Sequence, residues 1–336
     1  MAASLTSPLC DQQHSNSNER YEETLAKLPI GKGWATEHLV HYQGFWLTPR
    51  TALKGLMWIQ DHFNPRATDI FLASSPKTGT TWLKALIFAI VNRTRYGISD
   101  HPLLTAGPHD CFPFLDTYVD GNNRSLHELD VLPSPRLLST HLPLGLLPNS
   151  MTDDQSCRLV YICRDPKDVL VSKWLFLNKL RPRQLPPLSL EEAFELFCQG
   201  VSHYGPYWNH VLGYWKASLE NPEKILFLKY EDLKKDPFVV VKRLGEFIGH
   251  PFSLEEESGG VVEGILKLCS FENLSNLEVN KTSVLKYSRD IRVDNRDFFR
   301  KGEVGDGNNY LTEEMIQRLN AIISEKLLGS GLELGN

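Results

Sequence analysis

Two short, nearly uninterrupted apolar runs stand out along an otherwise mixed chain, Ile70-Phe71-Leu72-Ala73 and Leu159-Val160-Tyr161-Ile162-Cys163. Runs of this length, flanked by polar turns, are what strands buried on both faces of a parallel sheet require. Ile225-Leu226-Phe227-Leu228 is a third, and residues 135–143 give a shorter strand ending at His141. Between these runs the spacing turns helical: Trp82, Leu83, Leu86, Ile87 and Ile90 recur on one face. Similar spacing predicts helices over residues 51–63, 166–178, 189–202, 204–220, 237–247 and 312–328, and a mixed helical stretch over 260–277. Pro166 and Pro237 each follow an Asp, the pairing of an N-cap with proline in the first helical turn. Strands alternating with helices imply an α/β fold, a single domain with a central parallel sheet flanked by helices.

The remaining stretches lack a clear period. Residues 28–34 are turn-rich and 41–46 aromatic-rich, and both read as packing segments. Residues 95–135, rich in Pro, Gly and Asp, read as a lid or pocket wall, and 280–297, charged and aperiodic, as a mobile loop. Residues 1–20, rich in Ser, Asn and Gln, read as a disordered tail preceding one domain over 21–336. A net charge of −5 offers no global attraction to nucleic acid or anionic membranes, so any anion site must be built locally. Six scattered cysteines show no CxxC or CxxH spacing and read as reduced thiols. No secretory signal pattern opens the chain, and its longest apolar run, residues 85–91, is too short to span a bilayer. The expected compartment is the cytoplasm.

Chemistry concentrates where the first strand meets its helix, at Ser74-Ser75-Pro76-Lys77-Thr78-Gly79-Thr80-Thr81. A strand, a Gly-containing turn and a helix start aim free N–H groups and the positive helix end at an anion. Lys77 adds a charge, and Thr78, Thr80 and Thr81 add hydroxyls, which gives a P-loop-like phosphate cradle. The order differs from GxxxxGK[ST]: Lys77 precedes Gly79 by two residues and no hydroxyl is placed for Mg²⁺. An ATP-using P-loop kinase is therefore the weaker reading.

The stretch PKTGTTWLKAL resembles the 5′-phosphosulfate-binding loop of the cytosolic sulfotransferases, in particular their plant branch, and the resemblance extends from about Leu28 to Gly331. It implies 3′-phosphoadenosine 5′-phosphosulfate (PAPS) as sulfuryl donor and adenosine 3′,5′-bisphosphate (PAP) as product, without a metal. It implies a small hydroxylated acceptor such as a flavonoid, steroid or hydroxyjasmonate, with residues 41–46 at the mouth of its pocket. Lys77, Thr78, Gly79, Thr80 and Thr81 would hold the 5′ end of the donor, and Trp82, like Phe271, would stand near the base. Arg164 and Ser172, together with Arg300-Lys301-Gly302 of an RKGxxGD motif, would grip the 3′-phosphate. Tyr230, Ser270 and Phe271 match positions that contact the adenosine half. His141 matches the catalytic base, and Lys77 would stabilise the leaving oxygen.

Read without the resemblance, these residues keep other roles open. Arg164 could cap a helix or pair with Asp165 or Asp168, Trp82 and Phe271 could be core aromatics, and His141 could be structural. Three departures from the family's patterns, the first from its animal branch, also bear on the expectation. Ser139 stands where a Lys precedes the catalytic His by two residues, and Gly307 replaces the Trp that follows the GD pair. Asn308, Glu313 and Gln317 replace the Lys, Val and Glu of the dimerisation pattern, so a monomer is expected. A PAP-binding protein without turnover is the non-enzymatic alternative that Ser139 and Gly307 motivate.

Overall fold

A computed structural model describes residues 19–118, 126–152, 157–286 and 292–335. The chain enters through a three-stranded antiparallel sheet, β1 (Ile30–Lys32), β2 (His38–Tyr42) and β3 (Phe45–Leu47). Helix α1 (Lys54–His62) follows, then β4 (Ile70–Ser74) and α2 (Thr80–Asn92). After β5 (Leu137–Thr140) and β6 (Arg158–Cys163) come α3 (Pro166–Leu180), α4 (Leu190–Cys198) and α5 (Tyr207–Glu220). Strand β7 (Ile225–Lys229) leads to α6 (Pro237–Phe247) and α7 (Val261–Leu268). A hairpin of β8 (Val284–Lys286) and β9 (Arg292–Asp294) precedes α8 (Glu313–Leu327).

Strands β4 to β7 form one parallel sheet in the order β5-β4-β6-β7. Because side chains alternate across a strand, each apolar run divides between two layers. Phe71, Ala73, Leu159, Tyr161 and Phe227 pack with α1, α3, α4, α5 and α8. Ile70, Leu72, Val160, Ile162, Leu226 and Leu228 pack with α2, α6 and α7. Continuous hydrophobicity in the sequence is thus the mark of a sheet covered on both sides. Each such buried Leu or Ile stabilises the fold by about 1.5–3 kcal/mol.

The register sets the height of the functional edge. Ala73 lies opposite Thr140 and Tyr161, and Cys163 opposite Lys229. The next residues along β5, β6 and β7, namely His141, Arg164 and Tyr230, therefore leave the sheet at the same carboxyl edge where Ser74 opens the Lys77 turn. Sheets of this kind bind ligands at that edge. At the opposite edge Arg136 grips buried Asp69 with two hydrogen bonds, at 2.8 and 2.5 Å.

Two aperiodic segments are ordered in ways the pattern did not indicate. Residues 28–46 form the β1–β3 sheet, whose strands of three to five residues are too short to show a period. Part of its anchoring is distant, because Trp46 N donates to Gly205 O at 2.8 Å and Tyr204 N to Trp46 O at 2.8 Å. Within 280–297, expected to be a loop, a helix (Glu278–Thr282) overlaps the start and the β8–β9 hairpin follows. Only Val293 is fully buried in its two three-residue strands, so burial leaves little imprint on the sequence. Residues 1–18 of the expected tail lie outside the described residues.

Candidate active site

The turn after β4 is held open by two backbone conformations. Lys77 has φ +74° and Gly79 φ +112°. At Gly79 a Cβ would come within 2.7 Å of the Tyr230 ring, so both the dihedral and the space call for glycine. Gly79 caps α2, whose first N–H groups have no intrahelical partner and point out of the sheet edge. A cavity of about 1120 Å³ opens there, lined by Lys77, Gly79, Thr80, Thr81 and Trp82. Thr78 is turned inward: its hydroxyl lies 2.8 Å from Ser75 O and 3.0 Å from Ile162 O and ties the turn to β6.

Lys77 Nζ rests 3.9 Å from the centre of the Phe176 ring. Burial, with added repulsion from Arg300, Arg164 and Lys179, lowers its pKa to about 7. A cation held this far below its ordinary range favours an anionic neighbour that would restore its proton.

His141 is fixed on several sides. Its Nδ1 lies 2.7 Å from the Ser74 carbonyl, which can only accept, so the ring proton sits on Nδ1 and Nε2 is the basic nitrogen. Asp116 accepts from His141 N at 3.1 Å and from Thr140 Oγ1 at 2.7 Å. His210 Nε2 donates to His141 O at 3.0 Å, and its Nδ1 accepts from Tyr161 at 2.9 Å. The rings of Phe114 and Tyr204 stand 4.7 and 5.6 Å away, centre to centre. Burial holds the imidazole down at about 3, against the upward pull of the Ser74 carbonyl, so it is neutral near pH 7. The buried imidazole therefore lines the cavity wall as a neutral ring of fixed tautomer whose Nε2 keeps its lone pair.

At the far end Arg164 makes the Asp168 pair that the sequence left open and also faces the cavity. Its Nη2 pairs with Asp168 at 2.9 Å while its side chain lines the cavity beside Ser172. Arg300 and Lys301 converge on Asp306, Lys301 at 2.6 Å. Burial raises the Asp306 carboxyl, but the hydrogen bonds from Lys301, Arg300 and Asn309 outweigh it and bring it to about 2. The strap carrying these residues is pinned through its backbone: Gly305 N and Gly307 N donate to Asp168 at 2.9 and 2.7 Å. A Cβ on Gly307 would meet the Lys167 carbonyl carbon at 2.7 Å, so the missing Trp leaves a close backbone contact in its place.

Three donors on this wall, Arg164 Nε, Arg300 Nε and Trp82 Nε1, are buried without a hydrogen-bond partner among the described residues. Leaving such groups unpaired costs about 1–3 kcal/mol each, and a ligand bearing several anionic oxygens would satisfy the arginines. The donor set therefore matches a nucleotide phosphate. Among the described residues no group of three or more His, Cys, Asp and Glu is arranged to hold a metal ion.

Of the residues singled out from the sequence, Lys77, Gly79, Thr80, Thr81, Trp82, His141, Arg164, Ser172, Tyr230, Phe271, Arg300, Lys301 and Gly302 line this single cavity. Thr78 and Ser270 do not; Ser270 caps a helix by accepting from Asn273 N at 3.1 Å. Trp82 meets Tyr230 edge to face at 5.8 Å, and Phe271 is 37% exposed, so neither is a simple core aromatic. The aromatic residues 41–46 are not part of the wall, which at that end is formed by residues 35–38. The sequence reading passed over Lys84, His109 and Lys173, all buried at or beneath this site. Lys84 gave a signal as a lone charge between apolar neighbours, Leu83-Lys84-Ala85, whereas His109 beside Asp110 and Lys173 beside Ser172 gave none.

Comparison with known proteins agrees with this geometry. Residues 67–331 match the family model described as sulfotransferase domain. Cytosolic sulfotransferase 17 of Arabidopsis thaliana is 48% identical over 95% of this chain and 91% of its own length. Flavonol 3-sulfotransferase of Flaveria bidentis is 48% identical over 88% of this chain and 93% of its own. The crystal structure of a mouse sulfotransferase complexed with PAP superposes with a TM-score of 0.67 at 26% identity, covering 87% of this chain and 95% of that one. With its cradle, its unpaired phosphate-seeking donors and this likeness over nearly its whole length, the chain belongs to the sulfotransferase family and is an enzyme that uses PAPS to sulfate small metabolites.

Proposed function

We propose that His141 is the general base of sulfuryl transfer, that Lys77 stabilises the leaving oxygen, and that the acceptor is a flavonoid, steroid, hydroxyjasmonate or similar hydroxylated compound. The observation that carries the base assignment is the Nδ1 contact with Ser74 O, which leaves Nε2 as the basic nitrogen of a neutral ring on the cavity wall. The bound donor supplies the sulfuryl group and a phosphate as leaving group. His141 Nε2 takes the acceptor's hydroxyl proton as the acceptor oxygen attacks sulfur. Lys77 and the first N–H groups of α2 face the charge that develops on the bridging oxygen, an arrangement comparable to an oxyanion hole. Arg164, Ser172, Arg300, Lys301 and Gly302 hold the 3′-phosphate, while Tyr230, Trp82 and Phe271 border the adenosine.

The acceptor side is supported by its walls. Phe114 and Tyr204 flank His141, and Phe176, Leu177, Leu180 and Leu185 extend the lining. Flat rings and aliphatic chains favour an aromatic or polycyclic acceptor, in keeping with the flavonol 3-sulfotransferase at 48% identity. The chain is proposed to act as a monomer, without nucleic acid or membrane. His141→Ala tested with PAPS and a panel of hydroxylated acceptors should lose about 10²–10⁴-fold in turnover, the usual contribution of a general base. Its PAP affinity should be nearly unchanged. Near-normal turnover in that variant would overturn the assignment.

A further inference from the structure

Beneath the cradle lies a hydrogen-bonded chain that the reaction as described does not use. Lys84, fully buried on α2, places Nζ 3.1 Å from Nδ1 of His109. His109, on the short helix Pro108–Cys111, places Nε2 3.1 Å from the Thr81 hydroxyl. Thr81 and Lys84 stand three apart on α2 and so share a face, which lets one imidazole bridge them. The Thr81 side lines the cavity, whereas Lys84 does not reach it.

Donor and acceptor rules fix the direction of this chain. An ammonium has no lone pair, so Lys84 can only donate and His109 Nδ1 must accept. The proton of a neutral His109 then sits on Nε2, where it donates to Thr81 Oγ1. With that oxygen accepting, the hydroxyl proton of Thr81 is left for an acceptor in the cavity. We propose that Lys84 and His109 are positioning residues that turn the Thr81 hydroxyl into a fixed donor to the 5′-phosphate of the bound nucleotide. This rests on the reading that the Lys77 turn holds the 5′-phosphosulfate.

Burial draws the Lys84 pKa well below the usual range, and Asp116 and Asp110 pull against it. What holds the ammonium here is geometric: Nζ sits 3.4 Å from the centre of the Phe114 ring, a cation–π distance. A dianionic phosphate three hydrogen bonds along the chain adds to the pull of the carboxylates. Burial, then Lys84, Lys77 and His141, hold the His109 pKa well below normal, in keeping with a neutral bridge. The chain also bears on Ser139, whose hydroxyl is spent on Pro113 O at 3.1 Å. Phe114, which carries the Lys84 contact, bridges to Ser139 in the sheet. A charge thus reaches this sector from α2 although the strand position has none.

The test uses the full chain and two commercial nucleotides. In Lys84→Met and His109→Leu, the affinity for adenosine 3′,5′-bisphosphate by calorimetry should fall roughly tenfold, the lower end for a hydrogen bond to a charged group. Affinity for adenosine 3′-phosphate, which lacks the 5′ group, should stay within about twofold of wild type. His109→Gln, whose amide can accept from Lys84 and donate to Thr81, should recover most of the loss; His109→Leu should not. Equal losses for both nucleotides, or none, would overturn the proposal. Because a variant can fail to fold, the tautomer of His109 in the wild-type protein with the bisphosphate bound is read by long-range proton–nitrogen NMR. Protonated Nε2 with bare Nδ1 is expected, and the reverse tautomer would refute the chain. A wild type that fails to bind the bisphosphate at all would instead refute the reading of the cradle, while the tautomer in the free protein would still test the chain.

Discussion

The lowered pKa of Lys77 makes donor binding a proton-linked event. Burial is the main cause, and Arg300, Arg164 and Lys179 add repulsion, so the free enzyme's Lys77 titrates at about 7 rather than 10.5. A bound nucleotide places phosphate charge beside the amine and raises its pKa again. Below pH 7 the ammonium is already present and binding takes up little proton. At pH 8 only about one free molecule in ten carries it, so binding must draw in about 0.9 proton, compared with about 0.5 at pH 7. The PAP dissociation constant should therefore rise about tenfold per pH unit between about 7.5 and 9, a cost of about 1.4 kcal/mol per unit. Calorimetry in two buffers of different ionisation enthalpy measures both the affinity and the proton uptake. Lys77→Gln should bind more weakly at pH 6.5 and lose the slope. Lys173, also lowered to about 7 by burial, bonds to Ser75 Oγ and His203 O and does not line the cavity. Its titration should leave the profile alone. A flat profile in the wild type, or an unchanged slope in Lys77→Gln, would refute the reasoning.

Two further outcomes follow from the same geometry. Arg164→Ala and Arg300→Ala should each weaken PAP binding by about 1.5–3 kcal/mol, the scale of a charged hydrogen bond. Both should affect adenosine 5′-phosphosulfate, which lacks the 3′-phosphate, much less; equal losses for the two ligands would place these arginines elsewhere. The chain should be monomeric by light scattering at micromolar concentration, with a mass near 38.2 kDa. The reason is that exposed Glu313, at the start of α8, would be buried twice in a two-fold contact through this segment. A dimer abolished by Glu313→Arg would contradict this.

The order of strands and helices, the β4 turn and its glycine, and the family resemblance were legible from one sequence because each rests on local rules. Apolar runs, a 3.6-residue period and an Asp-Pro helix start all act within a few residues of chain. Local rules also explain why the candidates lay at strand ends: the residue after a buried strand must leave the sheet.

What only the tertiary structure decided is how groups far apart in sequence constrain one another. Nothing local says that the Thr78 hydroxyl is consumed by Ser75 and Ile162 carbonyls, or that Ser270 caps a helix, whereas their neighbours Gly79 and Phe271 reach the cavity. The β1–β3 sheet depends on a loop about 160 residues away in the chain, so its strands carry no local signature. The tautomer of His141 is set by Ser74, the docking of Gly307 by Asp168, and the partner of Lys84 by a helix that begins at Pro108. A sequence specifies which groups are present and which way a strand or helix turns them. Which lone pair or proton each has left depends on what packs against it, and that is settled only when the layers close.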